Sequence, residues 1–173
     1  MASDVLIVYA SKKGSTEQVA RRIAEVLRSR GLTTTIEPAR VVKELSGFRA
    51  VVVGGSLYMG RWHHDARAFL RRHRRALERV PFAVFALGPG EDTPDAFAAS
   101  EHQLEHALER LPEIEPRATA VFGGVIDPEK FRFPLNRAAK RDLRDWSRIH
   151  AWALGLPAEL DLEPIAQERV VAV

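Results

Sequence analysis

Short runs of apolar residues alternate along the chain with longer segments in which apolar residues recur every three or four positions. The first run, at 5–10, reads VLIVYA; it is uncharged and rich in β-branched side chains, which is typical of a strand buried on both faces. Similar runs at 50–54 and 82–87 predict two further strands, and shorter ones are predicted at 33–37 and 119–124. The apolar pattern therefore predicts five strands.

The segments between these strands have the period of amphipathic helices. The first predicted helix ends at Gly31, and the third begins with Thr93 as its N-cap and Pro94 as its first residue. The segment at 41–45 is read as a short helix or a loop. Helices are predicted at 15–29, 63–79, 94–111 and 135–154. This alternation predicts an α/β fold, a doubly wound parallel sheet with helices on both faces.

The chain of 173 residues has the length of one domain, which we place at 1–156, followed by a C-terminal tail at 157–173. With 46% hydrophobic and 28% charged residues, its composition is that of a folded globule. No apolar run is long enough to span a bilayer and no signal-like segment opens the sequence, so the expected location is the cytoplasm. Because the chain has no cysteine, a redox role requires a bound cofactor.

The junction after the first strand has the composition of an anion site. It combines hydroxyls, cations and one glycine where the chain leaves the sheet and enters a helix, whose first N–H groups have no partner within the helix. Its spacing matches neither GxxxxGK[ST] nor GxGxxG. A plain strand-to-helix cap is the alternative to a phosphate site. The residues are Ser11, Lys12, Lys13, Gly14, Ser15 and Thr16.

Two more glycine-containing loops follow the third and fourth predicted strands, at 55–60 and 87–92. In a doubly wound sheet, ligands bind beyond the carboxyl ends of the strands, at the point where the strand order reverses. All three loops belong to that edge, so they predict one ligand site.

These motifs carry a resemblance to a known family. Residues 11–16 resemble the phosphate loop of the flavodoxin family, and the two later loops fall where that family encloses the flavin ring. GGSLYMGRWHHDARAFLRRHRRAL is similar to a stretch of the flavodoxin-like, menaquinone-dependent protoporphyrinogen oxidases, and GGVIDPEKFRFPLNRAAKR resembles their segment after the fifth strand. The resemblance covers about 5–156 and implies a five-stranded sheet of order 2-1-3-4-5.

The cofactor implied by the resemblance is FMN. Its phosphate is expected on Ser11, Lys13, Gly14, Ser15 and Thr16. Its ring is expected between two loops, with Tyr58 or Trp62 as the aromatic side chain. The loop residues are Ser56, Leu57, Tyr58, Met59 and Gly60 on one side and Leu87, Gly88, Pro89 and Gly90 on the other.

The implied activity is electron transfer from an anionic tetrapyrrole precursor to a quinone. His63 is the candidate catalytic residue, since it could hydrogen-bond to a substrate or relay a proton; the adjacent His64 is a weaker candidate, and both could simply open a helix. Two alternatives stay open. One is a basic flavodoxin-like electron carrier without its own substrate, and the other is a protein that binds a different ligand, such as a deazaflavin, or none.

Basic residues concentrate in and just before the predicted helix at 63–79, with arginines at 61, 67, 71, 72, 74, 75 and 79. This face is either solvated or docks on porphyrinogen carboxylates or an anionic membrane at its inner face. The segment at 130–141 mixes cations with aromatic residues and either rests on a membrane or packs into the core. Nucleic acid is the least favoured partner, because no aromatic residues are interleaved with the cations, and the sequence does not indicate an oligomeric state.

An H-x-x-E-H pattern occurs at His102, Glu105 and His106, which formally matches a zinc protease motif. Short patterns of this kind arise by chance, and no third ligand is evident. No metal site is predicted.

Overall fold

The computed structural model describes residues 3–128, residue 133 and residues 139–162. In these ranges the helices are α1 (Ser15–Ser29), α2 (His64–Leu77), α3 (Pro94–Leu108) and α4 (Trp146–Glu159). The strands are β1 (Val5–Ala10), β2 (Thr34–Pro38), β3 (Ala50–Tyr58), β4 (Arg61–Trp62), β5 (Phe82–Leu87), β6 (Ala118–Phe122), β7 (Val125–Ile126) and β8 (Arg141–Asp142).

The main sheet has the strand order β2-β1-β3-β5-β6, and all neighbours along this path are parallel. The predicted fourth and fifth strands are β5 and β6, so the predicted α/β class and the order 2-1-3-4-5 are confirmed. β4 is a short antiparallel addition to β3. β7 and β8 form a separate antiparallel ribbon beyond the carboxyl end of β6.

Alternate residues of β1 point to opposite faces of the sheet, and each face is covered by helices. Val5 and Ile7 pack in one buried cluster with apolar residues of α1 and α4. Leu6 and Val8 pack in the other cluster with residues of α2 and α3. The central strands are therefore apolar on both faces, as their uninterrupted runs indicate. This leaves the carboxyl ends of the strands as the open edge of the sheet.

One glycine of β3 is required by core packing. A Cβ on Gly54 would lie 2.0 Å from the ring of Phe85 on the neighbouring strand. Phe85 packs in turn with Phe122 and Trp152, at centroid distances of 6.2 and 6.1 Å. Gly54 thus makes room for an aromatic cluster beneath one layer of helices.

Several predicted boundaries are confirmed. The first helix covers 15–29 as predicted, and Gly31 after it has a positive φ of 85°. Thr93 caps α3 by accepting a hydrogen bond from the N–H of Ala96. The segment at 41–45, left open between helix and loop, is a loop.

Three predicted boundaries are wrong. The segment at 55–60 is not a loop throughout, because β3 continues to Tyr58 and turns into β4. The last helix starts at Trp146 and not at 135, because residues 141–142 pair with β7. Asp145 caps the helix by accepting hydrogen bonds from the N–H groups of Ser147 and Arg148. The same helix continues past its predicted end at 154 to Glu159.

The chain after α4 still belongs to the core. Leu160 and Leu162 are both buried in the cluster that contains α1 and α4. The described part of the chain therefore packs beyond residue 156, where the sequence pattern places the end of the domain. No helix among the described residues has the length and hydropathy needed to cross a bilayer.

Candidate functional site at the carboxyl edge of the sheet

The loop between β1 and α1 presents an uncapped helix end. Gly14 is the N-cap residue of α1; its φ is 87°, and it has no side chain to accept from the first helical N–H groups. The N–H of Gly14 itself donates to the Ser11 hydroxyl, at 2.8 Å, which closes the loop. The first turn of α1 therefore offers backbone donors to an anion.

Thr16 lies in this first turn, and its side chain is completely buried. Among the described residues, its hydroxyl oxygen has no hydrogen-bond partner. An unsatisfied buried hydroxyl costs about 1–3 kcal/mol. An anion bound at the loop would provide the missing acceptor.

Next to this loop lies a cavity of about 420 Å³, which we call the ring cavity. It contains most of the residues that the sequence predicts around a flavin ring. Gly60 does not line it, and lies instead on a neighbouring groove beside α3. The lining residues are Ser15, Ser56, Leu57, Tyr58, Met59, Leu87, Gly88, Pro89, Gly90, Gly124, Val125 and Ile126.

One wall of the ring cavity is the β3–β4 hairpin. Its two turn residues, Met59 and Gly60, have φ values of 47° and 73°, and positive φ at both positions is the feature of a type I′ turn. Met59 is 84% exposed and Tyr58 is 59% exposed. Large apolar side chains therefore stand at the rim of the cavity.

Trp62 anchors this hairpin from below. Its ring is buried, and its Nε1–H donates to the carbonyl of Gly55 at 3.0 Å. Trp62 does not line the ring cavity. Tyr58, the other predicted aromatic side chain, lines it at the rim, with the Lys12 ammonium 5.8 Å from its ring centroid.

The sequence reasoning missed the wall formed after β6, which consists of Gly124, Val125 and Ile126. The N–H of Gly124 donates to the carbonyl of Pro89 at 3.0 Å, so this wall is joined to the 87–90 loop. A signal was available in the sequence. Gly124 is the last residue of the fifth predicted strand and the other two follow it, and the carboxyl end of that strand meets the same edge of the sheet.

Arg144 ties this wall to the first turn of α1. Its guanidinium donates to both oxygens of Asp142 in β8, at 2.9 and 2.6 Å, and also to Gln18 Oε1 at 2.6 Å. It packs over the ring of Trp146, with 4.7 Å to the centroid. The hydrogen bond from Arg144 lowers the pKa of Asp142, so the pair is ionised at neutral pH. We call this group the Arg144 clamp.

A second cavity, of about 400 Å³, opens on the other side of the hairpin, and we call it the cationic cavity. It shares Ser15, Ser56, Leu57, Tyr58 and Val125 with the ring cavity. One end is formed by Ser11, Lys12 and Lys13 of the β1–α1 loop, and the other end is formed by Arg61, Trp62, His63, His64 and Arg67. Two lysines and two arginines thus line this cavity.

His63 is the N-cap of α2. Its Nδ1 accepts from the N–H of Asp65 at 3.1 Å, so the proton of the neutral ring is on Nε2. Nε2 is buried and has no partner among the described residues. Burial lowers the pKa of His63 below its ordinary value of 6.5, and the nearby Lys12 charge acts in the same direction. The ring is therefore neutral at pH 7, with an unused donor.

The other polar motifs do not converge on these cavities. His102 is exposed, and His106 pairs with Glu109 at 3.4 Å. Among residues 3–128, 133 and 139–162, no group of three histidine or acidic side chains could hold a metal ion. In the basic segment at 130–141, Phe133 is 68% exposed and Lys140 and Arg141 are also exposed, while 130–132 and 134–138 lie outside the described residues.

Comparison with known proteins agrees with this architecture. A flavodoxin domain family model matches residues 6–138. Protoporphyrinogen IX dehydrogenase [quinone] of Escherichia coli K12 is 20% identical over 130 residues, which are 74% of this chain and 72% of that protein.

Solved flavodoxins share the fold. A cysteine-to-serine mutant of flavodoxin from Pseudomonas aeruginosa has a TM-score of 0.60 at 20% identity, covering 91% of this chain and 98% of its own. A flavodoxin from the domain Archaea has a TM-score of 0.59 at 14% identity, with the same coverage.

Proposed function

The chain belongs to the flavodoxin family, whose cofactor is FMN, and on that premise we propose that it is an oxidoreductase that takes electrons from an anionic tetrapyrrole precursor and passes them to a quinone. The similarity to the E. coli dehydrogenase supports this substrate pair. The observation that carries the proposal is the cationic cavity, which shares one wall with the ring cavity. An anionic group of the substrate bound there would lie beside the cofactor.

The residues of the phosphate end fit the phosphate of FMN. Ser11, Ser15, Thr16 and the N–H groups after Gly14 are donors, and Lys13 adds a positive charge. The unpartnered, buried hydroxyl of Thr16 is the strongest sign of fit, because it needs an acceptor that the described protein residues do not supply. We propose these residues as the phosphate site.

The ring cavity fits a flat aromatic ring system. Leu57, Leu87, Pro89 and Ile126 make its lining largely apolar, and Tyr58 offers a stacking surface at the rim. Bound FMN would supply the electron chemistry, since the ring accepts and donates electrons. The wall residues determine how water and substrate reach it.

His63 is the residue we propose to act on the substrate. Its side chain lines the cationic cavity, and we propose that its Nε2–H donates a hydrogen bond to the substrate. Because Nδ1 is occupied by the Asp65 N–H and burial lowers the pKa, the ring acts as a neutral donor and not as an imidazolium.

A basic electron carrier is the second candidate. The exposed side chains of Tyr58 and Met59 favour it, since a redox protein could dock directly on the rim of the ring cavity. In that case the cationic cavity would have no substrate.

Reduction under anaerobic conditions separates the two functions. FMN-loaded protein should be bleached by protoporphyrinogen and regain its absorption on addition of menadione. FMN binding without reduction by the tetrapyrrole would favour the carrier. Failure of the folded apoprotein to bind FMN would contradict both.

A further inference from the structure

The Nε2–H of His63 is a hydrogen-bond donor without an acceptor among the described residues. The hydrogen bond from the N–H of Asp65 to Nδ1 fixes the ring orientation and leaves the proton on Nε2. Nε2 is inaccessible to solvent and unpartnered among the described residues, although its side chain lines a cavity. Such a donor is costly unless a ligand atom accepts from it.

The surrounding charges select the sign of that ligand. Lys12, Arg61 and Arg67 line the same cavity, and none of the ion pairs between described residues involves them. Asp65 is the acidic group beside His63, and it lies 3.4 Å from the Nδ1 of the exposed His64. Positive charge thus exceeds negative charge around Nε2, which favours an anionic acceptor.

Arg67 is held in a defined orientation. Its Nε–H donates to the carbonyl of Trp62 at 2.9 Å, and Trp62 is itself buried and bound to Gly55. Only the terminal nitrogens of the guanidinium are left to a ligand. A preoriented guanidinium beside an imidazole N–H is a suitable pair of donors for one carboxylate.

The cavity also defines how the rest of the ligand is placed. Ser56, Leu57 and Tyr58 belong to both cavities, so a molecule held at the His63 end extends along the hairpin toward the ring cavity. The β1–α1 loop forms the opposite end of the cationic cavity. Cofactor phosphate and a second anion can therefore occupy different ends.

We propose that the cationic cavity holds a carboxylate-binding subsite, in which His63 Nε2–H and Arg67 donate to one carboxylate of a small anionic substrate, with Lys12 and Arg61 as further counter-charges. The subsite deepens the proposed function and rests on it, because it positions the substrate next to the flavin ring. It also assigns His63 a specific role, as the donor that binds the substrate.

The test is a titration of the FMN-loaded protein with phthalate, a small aromatic dicarboxylate, followed by the ¹⁵N signal of His63 Nε2 in long-range ¹H–¹⁵N spectra. We expect a saturable shift with phthalate and none with the uncharged phthalamide. Inorganic phosphate is titrated in parallel, and weaker binding of phosphate than of phthalate is expected. The reverse order would overturn the carboxylate assignment.

Matched variants distinguish a built subsite from general attraction. Arg67→Gln should weaken phthalate binding about tenfold, the usual effect of losing one charge-assisted hydrogen bond. Arg71→Gln removes the same charge one turn further along α2, outside the cavity, and should leave the affinity unchanged. Lys12→Gln, in a loop, gives a second cavity variant should Arg67→Gln fold poorly, and it should weaken binding severalfold.

Two outcomes would overturn the subsite: an unmoved Nε2 signal at saturating phthalate, or equal weakening in Arg67→Gln and Arg71→Gln. Repeating the titration on the apoprotein separates this proposal from the cofactor assignment. If FMN does not bind but phthalate still shifts His63 Nε2, the proposed function fails and the subsite stands.

Discussion

The proposed phosphate end of the site comes from one continuous stretch, residues 11–16, whereas the ring cavity is assembled from the β3–β4 hairpin, the 87–90 loop and the 124–126 segment. The first is organised by the end of one helix and by the bond from Gly14 to Ser11. The second depends on contacts between distant segments, such as the Arg144 clamp. Ligand binding at residues 11–16 should therefore be insensitive to substitutions in distant segments, whereas binding in the ring cavity should depend on them.

Removing the Thr16 hydroxyl should have the largest effect. In Thr16→Val, we expect FMN affinity to fall by about 10- to 100-fold, because a charge-assisted hydrogen bond to the phosphate is lost. The apoprotein should be stabilised by about 1 kcal/mol, since an unsatisfied buried hydroxyl is replaced by a methyl group. Flavin fluorescence titration and urea unfolding measure the two effects.

Thr34 provides the matched control. Its hydroxyl is also buried and unpartnered among the described residues. Thr34 lies opposite Val5 in the β1–β2 pairing, at the amino end of the sheet and therefore far from the site. Thr34→Val should stabilise the protein similarly and leave FMN binding unchanged. Unaltered FMN affinity in Thr16→Val would show that the phosphate is placed wrongly.

Removing the hydrogen bonds of the Arg144 clamp should weaken flavin binding in the ring cavity. Arg144→Met keeps the contact with Trp146 but loses the bonds to Asp142 and Gln18. We expect about fivefold weaker flavin binding and a loss of stability of about 1 kcal/mol, the magnitude for a partly exposed charged hydrogen-bond pair. Amide hydrogen exchange should speed up in Val125 and Ile126.

Riboflavin, which lacks the phosphate, sharpens the contrast between the two ends. Thr16→Val should weaken FMN but not riboflavin, whereas Arg144→Met should weaken both by the same factor. Arg148→Met is the control for the clamp, since Arg148 is exposed on α4 and packs on Phe97. If Arg144→Met affected FMN alone, the clamp would belong to the phosphate end.

The pH dependence of stability should reveal two histidines whose pKa is lowered, the half-buried His63 and the buried His73. Burial lowers the pKa of His63 and of His73, which is stacked on Phe69, so the unfolded chain binds protons more readily than the folded one. The stabilisation is complete above pH 6.5 and is lost as the pH falls below that value. Hydrogen bonds lower the pKa of Asp4 and Asp142, whose stabilisation is lost only as the pH falls below 3.8.

Substitution of His63 distinguishes its contribution to the pH dependence of stability from that of His73 in the core. His63→Asn keeps a capping oxygen for the Asp65 N–H and should reduce the loss of unfolding free energy between about pH 7 and pH 5, while the contribution of His73 persists. Urea unfolding across this range measures it. An unchanged pH profile in His63→Asn would contradict burial of the neutral ring.

The smallest expected effect on binding concerns the outer face of α2, which belongs neither to the proposed phosphate end nor to the ring cavity. We propose that it contacts the anionic surface of a membrane, where a quinone would be reached. Arg71→Gln should weaken binding to phosphatidylglycerol vesicles about fivefold, from about 1 kcal/mol per arginine. Arg110→Gln, just after α3, is the control. Two results would contradict this contact: vesicle binding that does not change with added salt, or an equal loss of binding in both variants.

Sequence periodicity predicted the fold because each element carries its own signal. β1 is apolar at consecutive positions, and α1 has both a period and a terminating Gly31. The last helix was predicted too long because its apolar period continues upstream of 146. Only pairing of residues 141–142 with β7 and capping by Asp145 fix its start.

For the candidate site, residues 11–16 predicted an anion-binding turn by themselves, since helix-end donors and hydroxyls are adjacent in the chain. Only the tertiary structure decided that Trp62 is buried under the hairpin, that Val125 and Ile126 close the ring cavity and that Arg144 reaches Gln18. The physical reason is distance along the chain. A side chain's local pattern fixes the element it belongs to, whereas its partner is fixed only when the packed layers bring remote segments together.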